Sequence, residues 1–188
     1  MLQNGRAVTF SLPLKGASDA LNIAQRELTP DFNHDKLLNQ FTGTYQRAPY
    51  FQQSKPLIDS VLCHEDRNLF RFLYHSIVAT CNHLGIHTEI RVSSEIDIDH
   101  SLNGQDTIHA ICDAVGAKNY VNAIGGMELS SKETFLEKGI NLNFIQSKPF
   151  YYEQFGGEFV PWLSIIDVMM FNPKDAIQSC ISTNYELI

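Results

Sequence analysis

Apolar residues recur at helical spacing between residues 31 and 85. In "DFNHDKLLNQFTGTY" they fall at Leu37, Phe41 and Tyr45, behind Asp31 or Asn33 as the candidate N-cap. The stretches "SKPLIDSVL", with a Pro in its first turn, and "DRNLFRFLYHSIVATCNHLG" continue the pattern. We therefore predict three helices in this part of the chain, the third of which ends at a glycine, Gly85.

From residue 86 onward the pattern changes to short alternating runs separated by helical ones. We interpret "IHTEIRV", "KNYVNAIGG" and "INLNFIQ" as strands, and "GQDTIHAICDAVGA" and "SSKETFLEKG" as the helices between them. This order predicts an α/β fold in which a parallel βαβαβ three-layer core occupies the C-terminal half, with the helical segment of about residues 31–85 packed beside it.

The ends of the chain complete the prediction. Near the N-terminus, "AVTFSLP" and "ALNIAQREL" are typical of extended segments. Near the C-terminus, "LSIIDVMMFN" and "PKDAIQSCI" predict two helices. Because no internal repeat and no linker interrupts the pattern, we expect a single domain over residues 1–188.

Charge and composition narrow the function. With 21 acidic and 14 basic residues the formal charge is -7, which argues against binding of nucleic acid or an anionic membrane surface. The sequence has neither a signal-peptide pattern nor an apolar run long enough to cross a membrane, and its four widely spaced cysteines are typical of reduced thiols. We expect a cytoplasmic protein without membrane insertion. No spacing of ligand residues indicates a metal, and the sequence leaves the cofactor unknown.

The turn "NAIGG" is the first candidate binding site. It follows a predicted strand and precedes a Ser-capped helix, so Asn122, Gly125 and Gly126 would lie at the carboxyl end of the strand, where α/β sheets hold ligands. We name these three residues as candidate substrate-binding residues and expect the turn to border a polar pocket beside a central strand. A plain tight turn is an equally good interpretation.

The corner "YQRAPYF" is the second candidate. Tyr45 and Arg47 there offer a flat aromatic surface and a cation, which suit a diphosphate, a carboxylate or a sugar ring. An ordinary aromatic corner between two helices is the alternative. We retain both residues as candidate substrate-binding residues.

A single acid stands inside the apolar run "FVPWLSIIDVMMFNP". In helical projection Asp167 and Ser164 lie three residues apart on one face. Because a carboxylate in an apolar boundary is costly unless something satisfies it, Asp167 either pairs with a partner group or acts on a substrate. We name Asp167 as the candidate catalytic residue, expected to accept a proton, and Ser164 as a substrate-binding residue.

Several landmarks together resemble the WbqC-like family of bacterial polysaccharide gene clusters. The most specific are the "Y..APYF" corner, the "GA..Y.....GG" strand and turn, and the terminal "LSIIDVMMFN". The resemblance implies a role in O-antigen, lipopolysaccharide or other surface-polysaccharide biosynthesis. It also implies transfer of an acyl or aminoacyl group, such as glycine, onto the amine of a nucleotide-linked amino sugar.

One departure from the family leaves a second hypothesis open. Typical members begin with an additional "QPxxFPxxGY"-like segment, and this sequence starts downstream of it. The chain is therefore either a glycine transferase or related enzyme, or a non-catalytic sugar-nucleotide-binding or assembly subunit that has lost the donor-binding segment. Its expected partners are a nucleotide-linked amino sugar and, in a homodimer, a second copy of the chain.

Overall fold

A computed structural model describes residues 1–188, and the chain divides into two compact units. The first unit comprises Met1–Thr88 and Pro149–Ile181, and the second comprises Glu89–Lys148 and Ser182–Ile188. The protein is mixed α/β, with seven α-helices and two small sheets. None of its helices combines the length and apolar character that a bilayer crossing requires.

The first unit is mainly helical. It contains a short hairpin and five helices, namely β1 (Leu2–Gln3), β2 (Arg6–Ala7), α1 (His34–Tyr45), α2 (Phe51–Leu62), α3 (Leu69–Leu84), α6 (Ile165–Phe171) and α7 (Lys174–Thr183), the last of which ends in the second unit. The core of this unit is formed by one face of each of the first three helices together with α6.

Local sequence signals explain the helix ends, as predicted. The Asn33 side chain accepts a hydrogen bond from the backbone N–H of Lys36 at 2.8 Å and caps α1. Gly85 ends α3 with a positive φ of 72°, a conformation in which glycine carries no Cβ penalty. In contrast, α2 begins earlier than predicted, at Phe51, so that Pro56 lies inside the helix and not in its first turn.

The N-terminal strands differ from the prediction. The segment "AVTFSLP" forms no continuous strand. Instead β1 and β2 pair as an antiparallel hairpin whose turn residues, Asn4 and Gly5, have φ values of 51° and 72°. Two positive φ angles in an Asn-Gly pair are the hallmark of a tight hairpin turn. The second predicted extended segment contains a short 3-10 helix, Ile23–Gln25.

The second unit carries a three-stranded sheet. Its elements are α4 (Gln105–Val115), β3 (Asn119–Ala123), α5 (Lys132–Glu137), β4 (Asn141–Ser147) and β5 (Tyr185–Leu187). The order is β3-β4-β5, with β3 and β4 parallel and β4 and β5 antiparallel. Buried side chains of α4, α5 and β4 form a separate core that includes Cys112, Phe135 and Phe144.

The predicted parallel βαβαβ core is not confirmed. The stretch "IHTEIRV", residues 86–92, forms no strand, and the sheet has only one parallel pair. The other edge of β4 is occupied by the antiparallel C-terminal strand β5. Alternation marks a half-buried extended segment but does not supply the hydrogen-bonding partner that makes a strand, and this explains the error.

Candidate functional site

Asp167 lies in the first turn of α6 and is completely buried. Its relative exposure is 0%, and the helix begins after Ser164, whose hydroxyl accepts a hydrogen bond from the backbone N–H of Ile166. A carboxylate in the first turn is favoured by the unpaired N–H groups and the positive end of the helix dipole. That contribution alone does not offset complete burial, so side-chain partners are needed.

Three neutral donors supply these partners. The hydroxyl of Tyr45 donates to one carboxylate oxygen at 2.8 Å, while the hydroxyl of Tyr152 and the amide of Gln154 donate to the other at 2.7 and 3.1 Å. No Lys or Arg is among the hydrogen-bond partners of Asp167. The Asp167 network, as we call these four side chains, therefore holds a buried carboxylate by hydrogen bonds alone.

The Asp167 network is anchored to two further segments. The backbone N–H of Leu2 donates to the Tyr45 hydroxyl at 2.9 Å and ties the N-terminal hairpin to the end of α1. Gln154 also exchanges two hydrogen bonds with the backbone of Val160, at 3.1 and 3.0 Å. A single carboxylate thus fixes the N-terminus, α1 and the irregular segment before α6.

Both tyrosines in the Asp167 network stay protonated through the physiological range. Burial, followed by the hydrogen bond and charge of Asp167, raises the pKa of Tyr152 above its usual value. Burial also raises the pKa of Tyr45, and the effect of Asp167 adds to it, against the lowering effect of the Leu2 N–H. Because phenolate formation beside a buried carboxylate is unfavourable, each hydroxyl remains a donor to Asp167.

Arg47 lies just beyond α1 and is exposed. Its guanidinium carbon is 5.8 Å from the ring centre of Phe155, within the range of a cation–π contact. Phe155 is held in turn by an edge contact with Phe171, at 4.8 Å between ring centres. The Arg47 side chain is therefore placed against a fixed aromatic surface.

A polar cleft of about 340 Å³ opens beside Arg47. Its walls come from the N-terminal hairpin, from one face of α1 and its end, and from the segment before α6. We call it the amide cleft, and it is lined by Leu2, Gln3, Asn4, Gly5, Asn39, Gln40, Gly43, Thr44, Arg47 and Phe155. The lining includes four carboxamides, one cation and no acid.

Ser164, a predicted substrate-binding residue, has two roles in the first unit. It caps α6, and it borders a mostly apolar cavity of about 240 Å³ that is also lined by Ile165 and Met169. The serine hydroxyl bonds the helix backbone, while the Asp167 carboxylate faces the tyrosines, and a substrate contact at Ser164 stays a prediction.

The "NAIGG" turn belongs to the second unit. It follows β3 directly, as predicted, although β3 is an edge strand and not a central one. The Asn122 side chain accepts from the Ala123 N–H at 2.8 Å and packs over Gly126, where an added Cβ would come within 2.5 Å of the amide nitrogen. Gly126 therefore permits a close approach, while Gly125 faces open space. A pocket at this turn stays a prediction.

The structure brings together two of the predicted site residues that are far apart in sequence. Tyr45 and Asp167 are 122 residues apart and share a hydrogen bond. Sequence reasoning missed Tyr152, Gln154 and Phe155. The signal was the long aromatic and amide-rich segment "SKPFYYEQFGGEF" immediately before Asp167, since such a segment inside a compact fold is often functional.

Comparison with known proteins gives one family. A family model described as the WbqC-like protein family matches residues 1–179, which is nearly the whole chain. No curated protein and no solved structure matches.

Proposed function

The chain belongs to the WbqC-like protein family, and from this premise we propose that it acts in O-antigen or other surface-polysaccharide biosynthesis. Family membership points to a function associated with polysaccharide gene clusters. The proposed reaction is the transfer of an acyl or aminoacyl group, such as glycyl, to the amine of a nucleotide-linked amino sugar. The proposed compartment is the cytoplasm.

The observation that supports this proposal most is the Tyr152–Asp167 hydrogen bond, with Tyr45 on the other carboxylate oxygen. The amine nitrogen of the sugar attacks the carbonyl carbon of an activated donor such as a thioester, a C–N bond forms and the C–S bond breaks. The amine gives its proton to the Tyr152 hydroxyl, which passes its own to Asp167. The proton then returns to the departing thiolate.

This route accounts for the burial of the predicted catalytic acid. Asp167 has no exposed surface, whereas Tyr152 is only partly buried and its hydroxyl lies 2.7 Å from the carboxylate. Because the carboxylate itself has no exposed surface, a proton reaches it through a hydrogen-bonded hydroxyl, and Tyr152 is the hydroxyl whose residue is partly exposed. In the proposal, Tyr45 and Gln154 orient the carboxylate, and Arg47 holds the anionic part of the substrate.

A non-catalytic role is the second candidate, and a specific observation favours it. Both oxygens of Asp167 are already occupied by protein donors, as expected for a carboxylate that only stabilises the fold. In that case the chain would bind a sugar nucleotide, or help to assemble a complex, without transferring a group.

Mass spectrometry of a reconstituted reaction separates the two candidates. The purified chain is incubated with a uridine diphosphate-linked amino sugar and either a glycyl thioester or acetyl-coenzyme A. We expect the sugar nucleotide to gain the mass of the transferred group at a rate that depends on the protein. Binding of the sugar nucleotide without any mass gain from either donor would instead favour the non-catalytic role.

A further inference from the structure

The amide cleft has side chains that are available to a ligand. Four carboxamides line it, from Gln3, Asn4, Asn39 and Gln40, and none of these side chains forms a hydrogen bond within the chain. Each carboxamide offers both donors and an acceptor, the pattern that sugar hydroxyl groups match. Four unused carboxamides around one concavity are more than an ordinary surface turn requires.

The charge of the cleft selects for an anion. Arg47 is its only charged lining residue, and no acid lines the cleft, although the chain as a whole has a formal charge of -7. Arg47 forms no ion pair with the protein, so its guanidinium donors are free to bind a phosphate in the two-pronged geometry that arginine favours.

The remaining features of the cleft are an exposed aromatic ring and a helical glycine without a side chain to fill the wall. Phe155 is 42% exposed and is fixed from behind by Phe171, so one part of its ring can pack against the apolar face of a sugar. Gly43 lies in α1 on the cleft wall, and a Cβ added there would meet nothing within 4 Å. A glycine inside a helix costs stability, and here it leaves the wall of the cleft open.

From these features we infer that the amide cleft binds a sugar 1-phosphate group, with Arg47 on the phosphate, the carboxamides on the hydroxyls and Phe155 against the ring. This inference rests on the proposed function in one respect, because it assigns the sugar-phosphate part of the substrate to a defined place. A sugar carrying a phosphate at position 1 occurs both in a nucleotide-linked sugar and in a lipid-linked sugar phosphate. The cleft volume of about 340 Å³ lies at the small end of the usual range for ligand sites.

Isothermal titration calorimetry with glucosamine 1-phosphate tests the inference. Glucosamine without phosphate and inorganic phosphate alone serve as comparison probes, and uridine diphosphate glucosamine distinguishes the nucleotide source from a free sugar phosphate. We expect glucosamine 1-phosphate to bind at least tenfold more tightly than either fragment. Tighter binding of the uridine form identifies a nucleotide-linked substrate, and equal binding identifies the sugar phosphate as the complete ligand.

Two variants assign the binding to the cleft. Arg47→Gln removes the cation from an exposed position, and we expect at least a tenfold loss of affinity, whereas Arg71→Gln removes the same charge elsewhere in the unit and leaves affinity unchanged. Gly43→Leu fills the open wall with a better helix former, so we expect affinity to fall at an unchanged or higher melting temperature.

Binding that survives both Arg47→Gln and Gly43→Leu, or no binding of any probe to the unmodified chain, would overturn the inference. The outcome is independent of the transfer reaction. Tight, Arg47-dependent binding without any group transfer would leave the cleft assigned and remove the transferase proposal. Group transfer that is unaffected by Arg47→Gln and Gly43→Leu would support the transferase proposal and remove the assignment of the cleft.

Discussion

Asp167 in the first unit and His109 in the second unit are both almost completely buried, but their side chains have different surroundings. Asp167 in the first unit has 0% exposure and receives three hydrogen bonds. His109 in the second unit has 2% exposure and one side-chain hydrogen bond, between its Nε2 atom and the Gln105 amide at 3.2 Å. Its Nδ1 atom lacks a partner, and its ring packs 4.1 Å from that of Phe135. The first group is held as a polar centre, whereas the second is packed as part of an apolar core.

The contrast shows which of the two buried side chains connects separate segments of its unit. The hydrogen bonds of Asp167 link the N-terminus, α1 and the segment before α6. The imidazole of His109, in contrast, forms one side-chain hydrogen bond, to Gln105 in its own helix. Removal of Asp167 should therefore disturb the protein far more than removal of His109.

The largest expected effect is that of Asp167→Ala. It leaves the hydroxyls of Tyr45 and Tyr152 without their acceptor, and at about 1–3 kcal/mol for each such group we expect a loss of about 4 kcal/mol in the free energy of unfolding. Urea denaturation followed by circular dichroism measures it. The matched control, His109→Phe, keeps an aromatic ring in the core and loses one hydrogen bond, to Gln105, so it should cost only about 1.5 kcal/mol. Equal losses in the two variants would break the comparison.

Tyr45→Phe should have the next largest effect. It removes the hydroxyl that accepts from the Leu2 N–H and donates to Asp167, so two hydrogen bonds are lost inside a side chain with 0% exposure. We expect a loss of about 2–3 kcal/mol, read as a lower urea midpoint. A midpoint equal to that of the unmodified chain would show that the N-terminal hairpin is not held through this contact.

The pH dependence of stability should report on His109 at acidic pH and on the tyrosines of the Asp167 network at alkaline pH. Burial, and to a lesser extent Lys138, lowers the pKa of His109, so the unfolded state takes up its proton first and stability falls as the pH drops below about 6.5. The neighbouring acids Asp106 and Asp113 oppose this shift. Through this one group, the free energy of unfolding can fall by at most about 1.4 kcal/mol per pH unit.

For the tyrosines of the Asp167 network the sign is opposite. Their pKa values are raised in the folded state, so the stability they provide is fully present below about pH 10 and is lost as the pH rises above it. Urea titrations at acidic and alkaline pH measure the two losses of stability, which we call the acid limb and the alkaline limb. The acid limb should be reduced in His109→Phe and the alkaline limb in Tyr45→Phe. Part of the acid limb remains, because burial also lowers the pKa of His83. An acid limb of unchanged size in His109→Phe would refute the assignment.

The smallest predicted effect concerns the glycine turn of the second unit. Gly126→Ala places a methyl group against the Asn122 amide, which must move, and we expect a cost of about 1 kcal/mol. Gly125→Ala enters open space and should be near neutral. Thermal unfolding of the two variants measures the difference. Equal melting temperatures would show that the close approach of Asn122 to the turn is unimportant.

The sequence predicted elements well where one local signal determines them. Asn33 and Gly85 marked helix ends correctly, since a cap acts within a few residues. The Asn4-Gly5 hairpin was equally local but was overlooked. The sheet was predicted wrongly because strand pairing depends on partners far away in the chain, here β5 at the C-terminus.

For the candidate site, too, local features were predictable from the sequence and long-range contacts were not. Asp167 was recognisable as an anomaly, an acid in an apolar run, and Tyr45 as part of an aromatic corner. Their hydrogen bond could not be read from sequence, because it joins residues 122 positions apart. Asn39 and Gly43 follow helical spacing on one face of α1, and Arg47 continues the same spacing just beyond the helix, so this part of the cleft is predictable from the sequence.

The central claim is that Asp167 receives a proton through Tyr152. The most direct measurement is the rate of group transfer to a nucleotide-linked amino sugar by the unmodified chain, Tyr152→Phe and Tyr45→Phe, each below its own melting temperature. Our account predicts that Tyr152→Phe lowers the rate at least a hundredfold, in the usual range for loss of acid–base catalysis, while Tyr45→Phe costs stability but retains most of the rate. An undiminished rate in Tyr152→Phe would contradict it.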